Sequence, residues 1–220
     1  MSTSPKRAMY VEFAALAKAI GHEHRLELLE LVAQGERSVE RLAECAGLSV
    51  ANASQHLQQL RRAGLVNSRR QAKFVLYTLA DDAVLGLLAA LRGVAERNSA
   101  EVGRLLHSYF HARDGLEAIS RAELLRRIGD KSVVVLDVRP EDEFAQGHVA
   151  GARNVPLGAL KRQLSKFDRQ AEFVAYCRGP YCVMSFEAVA LLRKRGFKAR
   201  RLEDGLPEWK AAGLPVETGA

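Results

Sequence analysis

The stretch Tyr176-Cys177-Arg178-Gly179-Pro180-Tyr181-Cys182-Val183-Met184-Ser185 sets a cysteine between a strand-like run and a helix-like run. Residues 173–176 (Phe-Val-Ala-Tyr) read as a buried strand, and residues 183–195 carry the apolar spacing of an amphipathic helix. A tight loop therefore joins strand to helix, with Gly179 and Pro180 marking the turn. Unpaired N–H groups at a helix start, aided by the helix dipole, favour an anion over such a loop. A thiolate is such an anion, and the setting lowers a cysteine pKa below its free value of about 8.5. The alternative for Cys177 is a buried apolar thiol.

Outward from this loop, strand and helix signals alternate. Residues 120–128 read as helix, 132–136 as a buried strand, 140–146 as helix, 198–202 as a strand and 206–212 as a short helix. Such units predict a mostly parallel sheet with helices on both faces. Ligands collect at the carboxyl ends of the strands of such sheets, which is where Cys177 falls. Asp137 and Arg139 fall at the end of the first strand and just after it.

The first half reads differently. Residues 7–20 and 23–33 have helical spacing, with Gly21 between them and Gln34-Gly35 after the second. Ser38 N-caps a short helix that ends at Gly47, and a further helix runs over 50–63 after Leu48-Ser49. The outward positions of that helix include Asn52, Ser54, Gln55, His56, Gln58 and Gln59, side chains able to meet base edges and phosphates. With Ser49 and with Arg61 and Arg62 at the other end, this is the second helix of a helix-turn-helix, the one that enters the major groove. Residues 64–66 begin a strand, 68–72 turn, and 73–79 return. This hairpin is a wing whose Arg69, Arg70 and Lys73 meet the phosphate backbone or minor groove; the segment 61–73 holds no acidic residue.

The chain has 220 residues, a net charge of +7 and a pI near 9.5, which permits a nucleic-acid partner without demanding one. The excess is spread evenly, three positive charges up to Leu116 and four beyond it. Three cysteines, the lack of a charged-then-apolar leader and the lack of an apolar run near the ~18 residues of a membrane span predict a cytoplasmic protein with no membrane partner. Two domains are expected, 1–112 and 117–220, joined by a short segment broken at Asp114-Gly115.

Residues 19–29 (AIGHEHRLELL), 48–57 (LSVANASQHL) and 60–66 (LRRAGLV) resemble the ArsR family of small winged-helix repressors, over about residues 6–110. The resemblance implies a homodimer on operator DNA, with the first helix and a long helix over 81–110 at the interface, and binding relieved by an inducer. Metal sensors of that family use cysteine pairs or acid and histidine clusters. Here Cys45 stands alone at an apolar helical position, His22 and His24 read as surface residues at a helix start, and His107 and His111 lack a carboxylate at matching spacing. No metal site and no cofactor are expected.

Leu136-Asp137-Val138-Arg139-Pro140, residues 147–156 (GHVAGARNVP), the Cys177 loop and Asp204-Gly205-Leu206-Pro207-Glu208-Trp209 are similar to rhodanese-like sulfurtransferase domains, over about residues 118–217. The resemblance implies that Cys177 carries a persulfide on a cradle of N–H groups from Arg178, Gly179, Pro180, Tyr181 and Cys182, with Asp137 and Arg139 as pocket-rim residues or as a buried ion pair supporting the loop. Cys177 to Cys182 inclusive is six residues; related phosphatases and arsenate reductases use a longer loop ending in arginine, so a tetrahedral oxyanion is disfavoured. Cys182 departs from the family pattern, either as a small packing residue or as a resolving thiol that attacks a persulfide on Cys177.

The fold expected is thus a mainly α winged helix-turn-helix followed by an α/β rhodanese-like parallel sheet with helices on both faces. The two resemblances together imply a DNA-binding repressor that responds to reactive sulfur (thiosulfate, polysulfide or persulfide) at the Cys177 loop. One alternative is a sulfurtransferase that turns over through a cysteine persulfide and regulates its own synthesis. Another is a metal- or arsenic-responsive regulator with Cys45 or the Cys177 and Cys182 pair as soft ligands.

Overall fold

The computed structural model describes residues 4–111 and 118–219. The expected break at Asp114-Gly115 and the side chain of His111 lie outside the described residues. Chain contacts define two compact units, Met1–Leu88 and Ala89–Ala220, which are described in turn.

The first unit opens with α1 (Pro5–Ile20) and α2 (Glu23–Val32), followed by β1 (Arg37–Ser38), α3 (Val39–Cys45) and α4 (Val50–Arg62). Helix starts follow from side-chain caps: Ser4, Ser38 and Ser49 hydroxyls accept from the N–H groups of Arg7, Arg41 and Asn52. Between α3 and α4 the chain turns at Gly47, whose φ of +63° is the left-handed region where a Cβ is costly. β2 (Val66–Gln71) and β3 (Phe74–Leu79) form an antiparallel hairpin with β1 on its far edge, in the order β1-β3-β2. Leu28, Leu29, Leu42, Leu57 and Leu60 are fully buried in one core with Tyr77 of the hairpin. Met9, Tyr10, Val11 and Phe13 of α1 remain exposed.

Two expectations for this half need correction. The hairpin is longer than the sequence pattern implied: of residues 68–72 only Ala72 turns, because Arg69 pairs with Leu76 and Gln71 with Phe74, leaving Ala72-Lys73 as the tip. The single helix expected over 81–110 is interrupted. α5 (Ala83–Asn98) ends before Ser99, whose hydroxyl caps α6 (Ala100–Leu105), and a π-helical turn, Leu106–His111, follows. A hydroxyl that competes for backbone N–H groups ends one helix and starts the next.

In the second unit the order continues with α7 (Arg121–Gly129), β4 (Val134–Asp137), α8 (Glu141–Gln146), β5 (His148–Val149), β6 (Arg153–Asn154) and α9 (Leu157–Gln163). It ends with β7 (Glu172–Tyr176), α10 (Val183–Lys194), β8 (Lys198–Arg201), α11 (Leu206–Ala211) and β9 (Val216–Glu217). The main sheet is parallel, in the order β6-β4-β7-β8, and β5 pairs separately with β9. Strand alternation sends β7 into two cores. Phe173 and Ala175 pack with Leu160, Val189 and Leu192, while Val174 and Tyr176 pack with Leu124, Leu206 and the buried Trp209. A strand buried on both faces reads as an unbroken apolar run, which is how residues 173–176 read. No described helix is long and apolar enough to cross a membrane.

Candidate functional site

Cys177 follows β7 directly and continues the Phe173 and Ala175 face, so it is 1 % exposed within that core. Cys182 is the N-cap of α10; its side chain makes no capping hydrogen bond, and the residue is partly exposed. The loop returns on itself through the Cys182 N–H to the Gly179 carbonyl at 3.1 Å. The two Cα atoms stand 6.1 Å apart, within bridging range, and the two sulfurs are joined as a disulfide.

The structure narrows the expected N–H cradle. Pro180 has no N–H. That of Cys182 is spent on the Gly179 carbonyl. The Arg178 side chain turns to Glu143, fully buried on α8, donating through Nε at 3.0 Å and Nη2 at 2.5 Å.

From the other side the loop is braced by the start of α11. The Leu206 N–H donates to the Cys177 carbonyl at 3.2 Å. Gly205 lies so near that a Cβ there would sit 2.3 Å from Gly179 N and 2.4 Å from Arg178 C. Its φ of −114° suits any residue, so the need for glycine is one of space.

Asp137 and Arg139 are both fully buried and paired, and do not line a rim. Arg139 also donates to the Gly147 carbonyl at 2.7 Å, and Asn154 Nδ2 donates to the carbonyls of both residues. The Tyr176 hydroxyl donates to Asp137 and accepts from the Val149 N–H at 3.0 Å. Burial opposes the charge on Arg139, but the bonds and charge of Asp137 outweigh it and raise the guanidinium pKa. Burial first, then Asp137, pushes the Tyr176 phenol well above its usual range. These groups position the ends of β4 and β7, and through them the cysteine loop.

In the first unit, Ser49, Asn52, Gln55, Arg61, Arg62, Arg69, Arg70 and Lys73 are exposed. Ser54 is half-buried and accepts from Gln58 at 3.2 Å. Two expected readers on α4 point elsewhere. Gln59 is half-buried and its Oε1 accepts from Arg25 Nη1 at 2.6 Å, in a set where the buried Arg25 also donates to the carbonyls of Lys18 and Ala19. His56 is not outward: it is 8 % exposed, its Nδ1 has no hydrogen-bond partner, and its ring lies 4.5 Å from that of His22 and 5.7 Å from that of His24. Helical spacing puts position 56 on the inner flank beside Leu57 and Leu60, and the α1–α2 turn supplies the other two rings. Burial, then His22, Arg25 and His24, lowers the His56 pKa against an opposing Glu23. His22 and His24 are accordingly half-buried at the start of α2. Among the described residues no three His, Cys, Asp or Glu side chains are placed to share a metal ion.

The wing holds a contact the sequence did not suggest. Arg69 donates through Nε at 2.7 Å and through Nη2 to the carboxylate of Glu36, which lies just before β1. The acid-free stretch thus acquires an acid from 33 residues away. Arg61 Nη1 donates to the Ser68 hydroxyl at 3.1 Å, and Arg70 Nε to the Ala72 carbonyl at 3.3 Å.

A helical head of α1 to α4 with an antiparallel wing, and a parallel sheet with a cysteine loop at its carboxyl edge, define a winged helix-turn-helix protein carrying a rhodanese-like domain. Known families agree: residues 20–69 match a helix-turn-helix domain and residues 120–212 a rhodanese-like domain. The chain is 40 % identical to the HTH-type transcriptional regulator Rv0324 of Mycobacterium tuberculosis, over 98 % of this chain and 94 % of that protein. It belongs to that family of HTH-type transcriptional regulators. Among solved structures, the homodimeric winged helix-turn-helix DNA-binding domain of Mb0332 from Mycobacterium bovis is 35 % identical, covering 46 % of this chain and 94 % of that one, with a TM-score of 0.42. A rhodanese-related protein from Thermoplasma volcanium is 29 % identical, covering 46 % of this chain and 97 % of that one, with a TM-score of 0.42.

Proposed function

We propose that this transcriptional regulator is a dimeric repressor that senses reactive sulfur at Cys177, with Cys182 as the resolving thiol. The observation that carries this reading is the pairing of the two cysteines across a loop at the strand-to-helix junction. A thiol at such a junction is activated by local N–H groups and the helix dipole, and one partnered within bridging distance does not need a second molecule to resolve it. A polysulfide or persulfide donor transfers one sulfur to the Cys177 thiolate. Cys182 then attacks: Cys177–S–S⁻ + HS–Cys182 → Cys177–S–S–Cys182 + HS⁻. One sulfur–sulfur bond breaks, one forms, and hydrosulfide leaves with the proton.

On the DNA side, Asn52 and Gln55 of α4 read bases, with Ser49 capping that helix, while Arg61, Arg62, Arg70 and Lys73 meet phosphates. The exposed Met9, Tyr10, Val11 and Phe13 of α1 are the apolar face expected of a helix that pairs with a second copy.

The test is operator binding by the purified protein at fixed salt, before and after a polysulfide donor, for wild type and Cys177→Ser. The expected result is a change in affinity in the wild type alone. Equal binding in all four states refutes the sensor and favours a sulfurtransferase, for which the complete rhodanese-like sheet around Cys177 speaks; repeated sulfide release with a thiol acceptor present would establish that alternative.

A further inference from the structure

We infer that the cysteine loop takes its sulfur from a hydropersulfide or its anion and discriminates against the dianion thiosulfate. Glu143 sets that preference by neutralising Arg178. This rests on the proposed sulfur chemistry of Cys177 and adds the class of donor and the residue that selects it.

Between its two cysteines the loop carries two side chains able to grip an oxyanion, Arg178 and Tyr181, and both are turned to carboxylates. Arg178 is the single cation of residues 177–182. Its Nε donates to both oxygens of Glu143, at 3.0 and 3.1 Å, and its Nη2 donates to Oε1 at 2.5 Å. The Glu143 side chain is fully buried and that of Arg178 is 19 % exposed. A donor that drew Arg178 away would leave a buried carboxylate without this partner, which costs far more than parting a surface pair. The Tyr181 hydroxyl donates to Glu96 of α5, a residue of the second unit. Arg92 lies 5.8 Å from the centre of the Tyr181 ring and is paired with Glu208 at 3.0 Å. Arg139, just after β4, is held by Asp137. These three guanidinium groups thus share the neighbourhood with four carboxylates, and together they offer a dianion no net positive charge.

The two donors bring different charge to the loop. From a hydropersulfide the step is Cys177–S⁻ + R–S–SH → Cys177–S–SH + R–S⁻. One sulfur–sulfur bond breaks and one forms, and the single negative charge passes from Cys177 to the departing thiolate. From thiosulfate it is Cys177–S⁻ + S₂O₃²⁻ → Cys177–S–S⁻ + SO₃²⁻, with the same bond exchange but three negative charges gathered at the site throughout. Cys177 is 1 % exposed, so charges beside it are screened less than they would be in water. A thiosulfate site needs a cation turned towards the sulfonate end, and here the loop's own cation is committed to Glu143.

The test compares two small donors, cysteine persulfide and thiosulfate, on reduced full-length protein at neutral pH. Sulfur gain at Cys177, as persulfide or as the disulfide that follows, is timed by acid quench, alkylation and mass spectrometry. The ratio of the two rates is divided by that measured with N-acetylcysteine, which removes the intrinsic difference in donor reactivity. The expected ratio for the wild type favours the persulfide by about tenfold or more over the free thiol. Glu143→Gln should raise the thiosulfate rate by about tenfold relative to the persulfide rate, and adding Arg178→Gln should cancel that gain. A merely structural role for Glu143 would slow both donors alike. A wild-type ratio equal to that of N-acetylcysteine, or one favouring thiosulfate, overturns the inference whether or not the variants fold, and leaves the sulfur response of DNA binding untouched. So does a folded Glu143→Gln protein with an unchanged ratio. Reduced Cys177 that gains sulfur from neither donor overturns both this inference and the reading on which it rests.

Discussion

Replacing Gly205 with alanine tests how closely the start of α11 braces the cysteine loop. The new Cβ would stand 2.3 Å from Gly179 N, 2.4 Å from Arg178 C and 2.5 Å from Arg178 O, all backbone atoms. Comfortable contact begins near about 3.5 Å, so the loop or the helix must retreat by about 1 Å. Neither moves freely. The loop leaves a strand paired on both edges, and Leu206 holds the Cys177 carbonyl while Trp209 of the same helix is buried in the core. Overpacking of this kind costs about 1–3 kcal/mol. At about 4 °C per kcal/mol for a domain near 100 residues, calorimetry of the full chain should show the second unit's transition lowered by roughly 4–12 °C. The Cys177–Cys182 bond should also form more slowly, since the displaced backbone carries Arg178 and Gly179 between the two thiols. Gly158→Ala is the control: it lies in α9 with nothing within 4 Å of the added Cβ, and should be neutral or stabilising by up to about 1 kcal/mol. A Gly205→Ala protein that melts with wild type and closes its disulfide at the wild-type rate would refute the brace.

Tyr176→Phe removes the hydroxyl shared by Asp137 and the Val149 N–H, both buried, and should cost about 1–3 kcal/mol in urea unfolding. On DNA, Glu36→Gln releases Arg69 for phosphate, so affinity should rise and the slope of log K against log salt should steepen by about 1. Arg70→Ala should shallow that slope by about 1, while Arg69→Ala should change it less, its charge being already engaged by Glu36; equal slopes for all three variants and wild type would remove the wing from the interface. Because the folded His56 imidazole is held below its ordinary 6.5, the unfolded chain takes up a proton first as pH falls. The stability of the first unit should be full above about pH 6.5 and decline below it, and His56→Gln should flatten that decline in denaturant titrations at stepped pH.

How much was legible before the fold depended on the range of the interaction. The capping serine at 38, the helix start after Ser49, the apolar run 173–176 and the helix after Cys182 are set by neighbours within a turn or two, and each stands where its pattern placed it. The two-residue strands β5, β6 and β9 left no periodicity to read. β5 and β9 exist because His148 meets Glu217 and Val149 meets Val216 across most of the domain. Position 56 failed for a related reason: helical spacing left it on the margin between faces, and only the α1–α2 turn, brought over by tertiary packing, made that margin interior. The acid that meets Arg69 likewise arrives from outside the stretch that seemed free of acids. At the cysteine loop, residue types and spacing announced the chemistry, but the contact that excludes a side chain at 205 required the backbone of a segment 26 residues away to be in place.

Trp209 is the chain's single tryptophan, 1 % exposed, with its indole N–H donating to the Pro215 carbonyl. It sits on the helix that begins at the loop-bracing glycine. Indole emission therefore reports the rhodanese-like unit and is silent about the DNA-binding one, whereas far-ultraviolet dichroism sums over both. Excitation of that one ring while dichroism is followed in the same denaturant series would separate the two melting events without cutting the chain. It also offers an unlabelled optical readout, at equilibrium or in stopped flow, of whether sulfur arriving at the loop is felt on the far side of its sheet.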